Sequence, residues 1–162
     1  VRLTGGSGAS LWSAPADGRP AAVRYIQLVF GNLGGAAVQL ARAAVGKRIQ
    51  LARNFSFGGA FGVRDLGSLD FSPRGVLLRR RGVKLRTVGI SFDNAFRDEV
   101  EGAIQPLIEA AGMTELVGLV TDPEPHAQRE RRSYFGPLIG DTGTVQRTAV
   151  GWQWKCNLVS IF

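Results

Sequence analysis

Val76-Leu77-Leu78-Arg79-Arg80-Arg81-Gly82-Val83-Lys84-Leu85-Arg86-Thr87-Val88-Gly89-Ile90-Ser91-Phe92 is the stretch that decides the fold class. Two runs rich in apolar and β-branched residues flank one glycine, so the pattern predicts a hairpin of Val76 to Arg81 and Val83 to Phe92 turning at Gly82. In the second strand Val88, Ile90 and Phe92 fall on one face, and Leu85, Thr87 and Ser91 on the other.

Working outward, a helix follows. Asp93 or Asn94 is positioned to accept from the free amides of its first turn. Asp98, Glu99 and Glu101 place negative charge at the positive end of its dipole. Phe96, Val100, Ile104, Leu107, Ile108 and Ala111 recur every three to four residues and make one apolar stripe. Gly112 stops it, and Pro106 should bend it or shift its last turn. Leu116 to Val120, Ser133 to Ile139, Val145 to Val150 and Trp152 to Ile161 then read as strands.

Upstream, Val23 to Phe30 reads as the first clear strand and Lys47 to Arg53 as another. Ala36 to Val45 is ambiguous between helix and strand, with turn spacing favouring strand. Between Phe55 and Phe71, aromatics alternate with Gly58, Gly59, Gly62 and Gly67, which suits a twisted sheet in which rings pack over glycines. Residues 1–22 hold several glycines and prolines and read as an irregular N-terminal segment, with one short strand near Leu11 and Trp12. Residues 23–162 form one β-rich domain. The expected class is α+β, mainly β: a strongly bent sheet or split barrel flanked by one α-helix.

Composition sets further bounds. The chain has 162 residues, 44% of them apolar, which is enough for a core in one domain. The 22 glycines are spread along it rather than gathered in a low-complexity tract. No run of about 18 apolar residues occurs, so no membrane span is expected. No signal-peptide pattern opens the sequence, which argues against export by that route. Val1 stands where a start methionine is usual, and the sequence is read as processed, trimmed or begun unusually. Formal charge is +7, carried mostly by arginine. Such a balance suits nucleic acid, a membrane surface or an acidic protein partner.

The residues that carry chemistry are few. No Walker loop, nucleophile elbow or H-E-x-x-H helix is present. Gly5-Gly6-Ser7-Gly8 lacks the following lysine of a phosphate cradle. His126, the single histidine, lies beside Asp122 and Glu124. A metal or acid-base site from these three competes with a solvated, proline-stiffened loop, and the loop is favoured because neighbours so close in sequence rarely converge on one ion. Cys156, the single cysteine, sits in a strand and reads as a small apolar residue. Asn54-Phe55-Ser56 fits a glycosylation triplet that chance often produces. No catalytic residue, cofactor site or metal ligand is therefore assigned.

Arg79, Arg80, Arg81, Lys84 and Arg86 put five cations in eight residues. Phosphate binding is the sharp interpretation. No aromatic is interleaved there for base stacking, so direct nucleic-acid contact is disfavoured against ion pairing with carboxylates of a neighbouring subunit. Arg129, Arg131 and Arg132 form a second, less specific cluster. Trp12, Trp152, Trp154 and Phe162 are either core or interface residues.

Arg24-Tyr25-Ile26-Gln27-Leu28, the run from Gly46 to Gly58, the basic hairpin, Ile90-Ser91-Phe92-Asp93-Asn94, the acidic helix, Leu119 to Pro125 and Tyr134-Phe135-Gly136-Pro137-Leu138 follow one another in an order that resembles the tail-tip proteins of long-tailed bacteriophages. The likeness is to distal-tail and baseplate ring proteins of Mu-like siphophages. It implies a non-enzymatic virion protein of the tail tip, assembled in the host cytoplasm as a homo-oligomeric ring that links the tube to other tail proteins. Arg79, Arg80, Arg81, Lys84, Arg86, Trp152 and Trp154 are its candidate interface. The alternatives are a basic nucleic-acid-binding module and a small glycan- or receptor-binding β domain. Some relatives carry a glycan-binding sandwich ahead of this domain. Too little chain precedes Arg24 to hold one, so glycan binding is not carried over.

Overall fold

The computed structural model describes residues 25–29, 35, 43, 45–124 and 126–161. The expected N-terminal segment and the strand near Trp12 lie outside these residues, as does nearly all of the ambiguous stretch before Val45. Among the described residues eight strands form three antiparallel sheets beside one helix, with no closed barrel. The fold is α+β and mainly β.

The strands are β1 (Ala60–Asp65), β2 (Ser68–Phe71), β3 (Leu77–Arg80), β4 (Lys84–Ala95), β5 (Leu116–Val120), β6 (Ser133–Pro137), β7 (Thr144–Gln146) and β8 (Trp152–Val159). The main sheet runs β1-β4-β8-β7, while β2 pairs with β3 and β5 with β6. Val88 and Ile90 of β4 are buried opposite Leu158 and Cys156 of β8. Phe92 stacks on its cross-strand partner Trp154 at 5.4 Å between ring centres. Alternation along β4 thus selects its core face, as expected.

The expected hairpin of Val76 to Phe92 does not form. Strand β3 pairs back onto β2, and β4 onto β1. Asp65 faces Lys84, and Leu66 N–H donates to Val83 O at 3.0 Å. Beyond this point the register slips by one residue, so that Ser68 faces Arg80. Gly82 marks a bulge and not a reversal. A Cβ on Gly82 would overlap the backbone of Leu66 and Gly67, and one on Gly67 would sit 2.8 Å from Arg80 O. Glycine is needed there for close approach of two backbones.

The reversal comes earlier, at Ser72-Pro73-Arg74-Gly75. Gly75 N–H donates to Ser72 O at 2.9 Å, and Gly75 has φ 76°. Ser at the first, Pro at the second and Gly at the fourth position favour such a turn. Residues 60–89 therefore make one long hairpin, interrupted by the bulge, whose second strand continues into the main sheet by pairing with β8.

The helix, here α1, spans 97–111 in three parts: α-helical Arg97–Glu99, π-helical Val100–Ile104 and α-helical Gln105–Ala111. Asp93 and Asn94 remain in β4, and the N-cap is Phe96, whose amide donates to the Glu99 carboxylate at 3.0 Å. Pro106 has no N–H to give. The turn before it widens, with Gln105 N–H reaching Val100 O, so the change of hydrogen bonding falls upstream of the proline and not in the expected last turn, which is regular α-helix. Val100 and Ile104 are fully buried, and Leu107 and Ile108 pack on the same core. Phe96, expected in the stripe, is exposed instead and lies under the Arg53 guanidinium at 4.5 Å.

Neither upstream strand is present among the described residues. Residues 25–29 pair with no described strand, and their large apolar side chains stay exposed. Residues 47–53 are held by side chains in place of a ladder. Leu51 packs on the core, Ala52 N–H donates to Glu99 Oε1 at 2.5 Å, and Arg53 lies on Phe96. Strands β5, β6 and β8 fall close to where periodicity put them, while the expected strand of Val145 to Val150 shrinks to Thr144–Gln146, because Arg147 and Thr148 N–H turn back onto Gly151 O. Strand β6 crosses the end of β8, tied by the Leu138–Leu158 bridge and by Ile161 N–H to Phe135 O at 3.0 Å. Each large apolar side chain so enclosed contributes about 2 kcal/mol.

Candidate interaction surface

The ribbon positions the basic cluster. Every residue of β1, β2 and β3 is exposed. Cross-strand pairing and alternation place Leu69, Phe71, Leu77 and Arg79 on one face of the β2–β3 end. Ser68, Asp70, Leu78 and Arg80 occupy the other. Leu69 is 63% exposed, Phe71 64% and Leu77 51%. A two-stranded ribbon with both faces in water is marginal by itself. Three large apolar side chains on one such face make an exposed apolar patch.

The cations divide into two kinds. Arg79 and Arg80 project from β3, Arg81 follows it, and Lys84 opens β4. Only two pairs among the described residues lie within ion-pair range, Arg97–Glu101 at 2.7 Å and Asp122–His126 at 3.2 Å. The four ribbon cations therefore have no carboxylate partner among the described residues. Arg86 differs. Its guanidinium lies over the Tyr134 ring at 4.5 Å. It also donates to the carbonyls of Ser133 at 3.4 Å, Glu130 at 3.5 Å and Arg131. Arg86 clasps the turn before β6 and is not a free cation.

The tryptophans also separate. Trp154 is 6% exposed in the core, its ring spent on Phe92. Trp152 packs partly against the same core, and the indole N–H of each is buried without a hydrogen-bond partner among the described residues. Trp154 offers no open face, whereas Trp152 is half-buried. The apolar ribbon residues Leu69, Phe71 and Leu77 were missed in the sequence, although the Ser72 to Gly75 turn signal would have paired them.

The second arginine cluster borders a shallow depression. Arg132 lies over Phe61 at 5.0 Å, and the depression of about 300 Å³ is lined by Phe61, Gln128, Arg131, Arg132 and Tyr134. His126 Nδ1 accepts from Gln128 N–H at 3.1 Å, so its Nε2 carries the proton toward Asp122. Among the described residues no three His, Cys, Asp or Glu side chains gather around one point. On the outer face of the main sheet, Gln153 donates to Asp93 at 2.5 Å and accepts from Arg147. The Ser56 hydroxyl, then the Gln153 amide, hold the Asp93 carboxyl below its ordinary value.

Cys156, on β8 opposite Ile90 of β4, is buried in the core, and burial pushes its thiol from 9.0 up to about 12. The thiolate is the reactive form. Native protein is therefore expected to leave a maleimide dye unreacted over an hour at pH 7.5, and to react fully in denaturant. Rapid labelling of the folded chain would contradict this burial.

No family model, curated protein or solved structure matches this chain. Among the described residues no helix is long and apolar enough to cross a membrane.

Proposed function

We propose that this chain is a structural subunit of a phage tail tip or baseplate. It assembles as a homo-oligomeric ring at the distal end of the tail and links the tube to other tip proteins. It acts by assembly in the virion, after synthesis in the host cytoplasm, and carries out no catalysis. The observation that supports this reading is the exposed β ribbon, whose large apolar side chains stay open and whose cations have no carboxylate partner among the described residues. Ring subunits need such surfaces. The resemblance in segment order points the same way.

A nucleic-acid partner would use the same cations. Phosphate has no use for the exposed trio Leu69, Phe71 and Leu77, whereas a protein partner buries them. Analytical ultracentrifugation and negative-stain imaging across a concentration series test the proposal. A discrete closed oligomer is expected, with no salt-sensitive retention of short DNA or RNA in an anisotropy titration. A chain that stays monomeric at every concentration would overturn it, as would steep salt-dependent nucleic-acid binding.

A further inference from the structure

We infer that the β2–β3 ribbon of one copy docks on the C-terminal end of α1 in the next copy, head to tail. The inference rests on the ring reading above and names the contact that would build it. The donor surface is the face bearing Leu69, Phe71 and Leu77, with Arg79 on the same face and Arg81 two residues on. The acceptor is a second apolar patch rimmed by the opposite charge. Met113 is 58% exposed and Leu116 46%, and exposed Glu109 and Glu115 flank them.

Charge selects a second copy as the occupant. Residues 64–84 carry six cations against two carboxylates, and residues 105–116, the acceptor end of α1 and the turn after it, carry two carboxylates and no cation. One chain thus presents two complementary surfaces. They are not joined within the molecule: β2 and β3 pair only with each other, and no ion pair among the described residues links the two stretches. Opposite potentials on two patches bring unlike patches together and hold like ones apart. A contact between two different patches is heterologous, and repeats of it close into a ring or run on as a filament. The apolar residues at the centre of each patch supply the dehydrated contact, and the charged rims set its direction.

Charge reversal on the full chain tests this. Arg79→Glu with Arg81→Glu reverses the donor, and Glu109→Arg with Glu115→Arg reverses the acceptor. Each double variant alone is expected to associate at least about tenfold more weakly in sedimentation velocity. An equimolar mixture should regain assembly, because alternating copies then match at every contact. All four residues are exposed, and an unchanged thermal melt verifies the fold. As an independent readout, Leu69→Cys mixed with Met113→Cys should give a heterodimer with a short bis-maleimide, while native Cys156 stays out of reach.

If wild type assembles but neither reversal weakens it, the docking inference fails and the subunit reading stands. A donor reversal that weakens assembly while the acceptor reversal does not would overturn it in favour of a ribbon-to-ribbon contact. Wild type that never self-associates would overturn both.

Discussion

Gly136→Ala is expected to lower the stability of the folded chain by about 3 kcal/mol or more, enough to leave much of a marginally stable domain unfolded. Gly136 lies in β6 where that strand crosses β8. A Cβ there would stand 2.9 Å from the carbonyl carbon of Val159 and closer still to its oxygen. Neither backbone is free to give way. Val159 and Ser160 are buried, Ser160 N–H donates to Arg86 O at 2.7 Å, and Ile161 N–H donates to Phe135 O at 3.0 Å. Leu138 and Leu158, both almost fully buried, bridge the same two segments next to the crossing. A methyl at Gly136 must therefore separate the two sheets or break these bonds.

Urea unfolding followed by tryptophan fluorescence measures the loss, since Trp154 is stacked in the core. Gly118→Ala is the internal control. Gly118 faces Phe135 across the β5–β6 pair, and its added methyl would meet the Phe135 ring at 3.8 Å, an ordinary contact. Its effect should stay within about 0.5 kcal/mol. If Gly136→Ala unfolds at the wild-type urea midpoint, the crossing is not as tight as described.

The same crossing shows how far the sequence could be read. Val88, Ile90 and Phe92 announced the inward face of β4 because a strand buried on one side alternates, and the structure buries that face. The stripe of α1 was legible for the equivalent reason at helical spacing, whereas the irregularity expected of Pro106 in the last turn lies one turn earlier, over Val100–Ile104. Pairing was harder. A glycine between two apolar runs fits a turn or a bulge equally well, and only the partner strand decides. Here the partner began at Ala60, so Gly82 became a bulge and the reversal moved to Ser72-Pro73-Arg74-Gly75.

Residues 47–53 misled for a different reason. Their composition is strand-like, yet contacts to Glu99 and Phe96 replace a ladder, and such long-range side-chain anchors leave no local trace. Of the candidate interface, the sequence located the exposed cations Arg79, Arg80, Arg81 and Lys84. It could not tell that Arg86, of the same type and in the same run, points back into its own chain, because that depends on Tyr134 lying nearby in space.

Arg86 consequently separates structure from assembly. Arg86→Ala is expected to cost about 2 kcal/mol, since a cation donating to several carbonyls and covering an aromatic ring is removed at once. The Ser133 carbonyl is half-buried and loses its donor, and the upper face of Tyr134 loses its cover. Arg86→Lys should recover less than half of this loss, because one ammonium replaces a planar fork that reaches three carbonyls and stacks. By contrast, alanine at Arg79 and Arg81 together should shift stability by no more than about 0.5 kcal/mol, both side chains being exposed and without a carboxylate partner among the described residues. Thermal and urea melts of the three variants give the comparison, and sedimentation of the same samples gives the assembly readout. Arg86→Ala should fold less stably yet associate normally at low temperature, whereas the Arg79 and Arg81 pair should fold normally and associate weakly. Should Arg86→Ala melt like wild type while assembly is lost, Arg86 would be a free interface cation after all, and the clasp on the turn before β6 would not contribute to the fold.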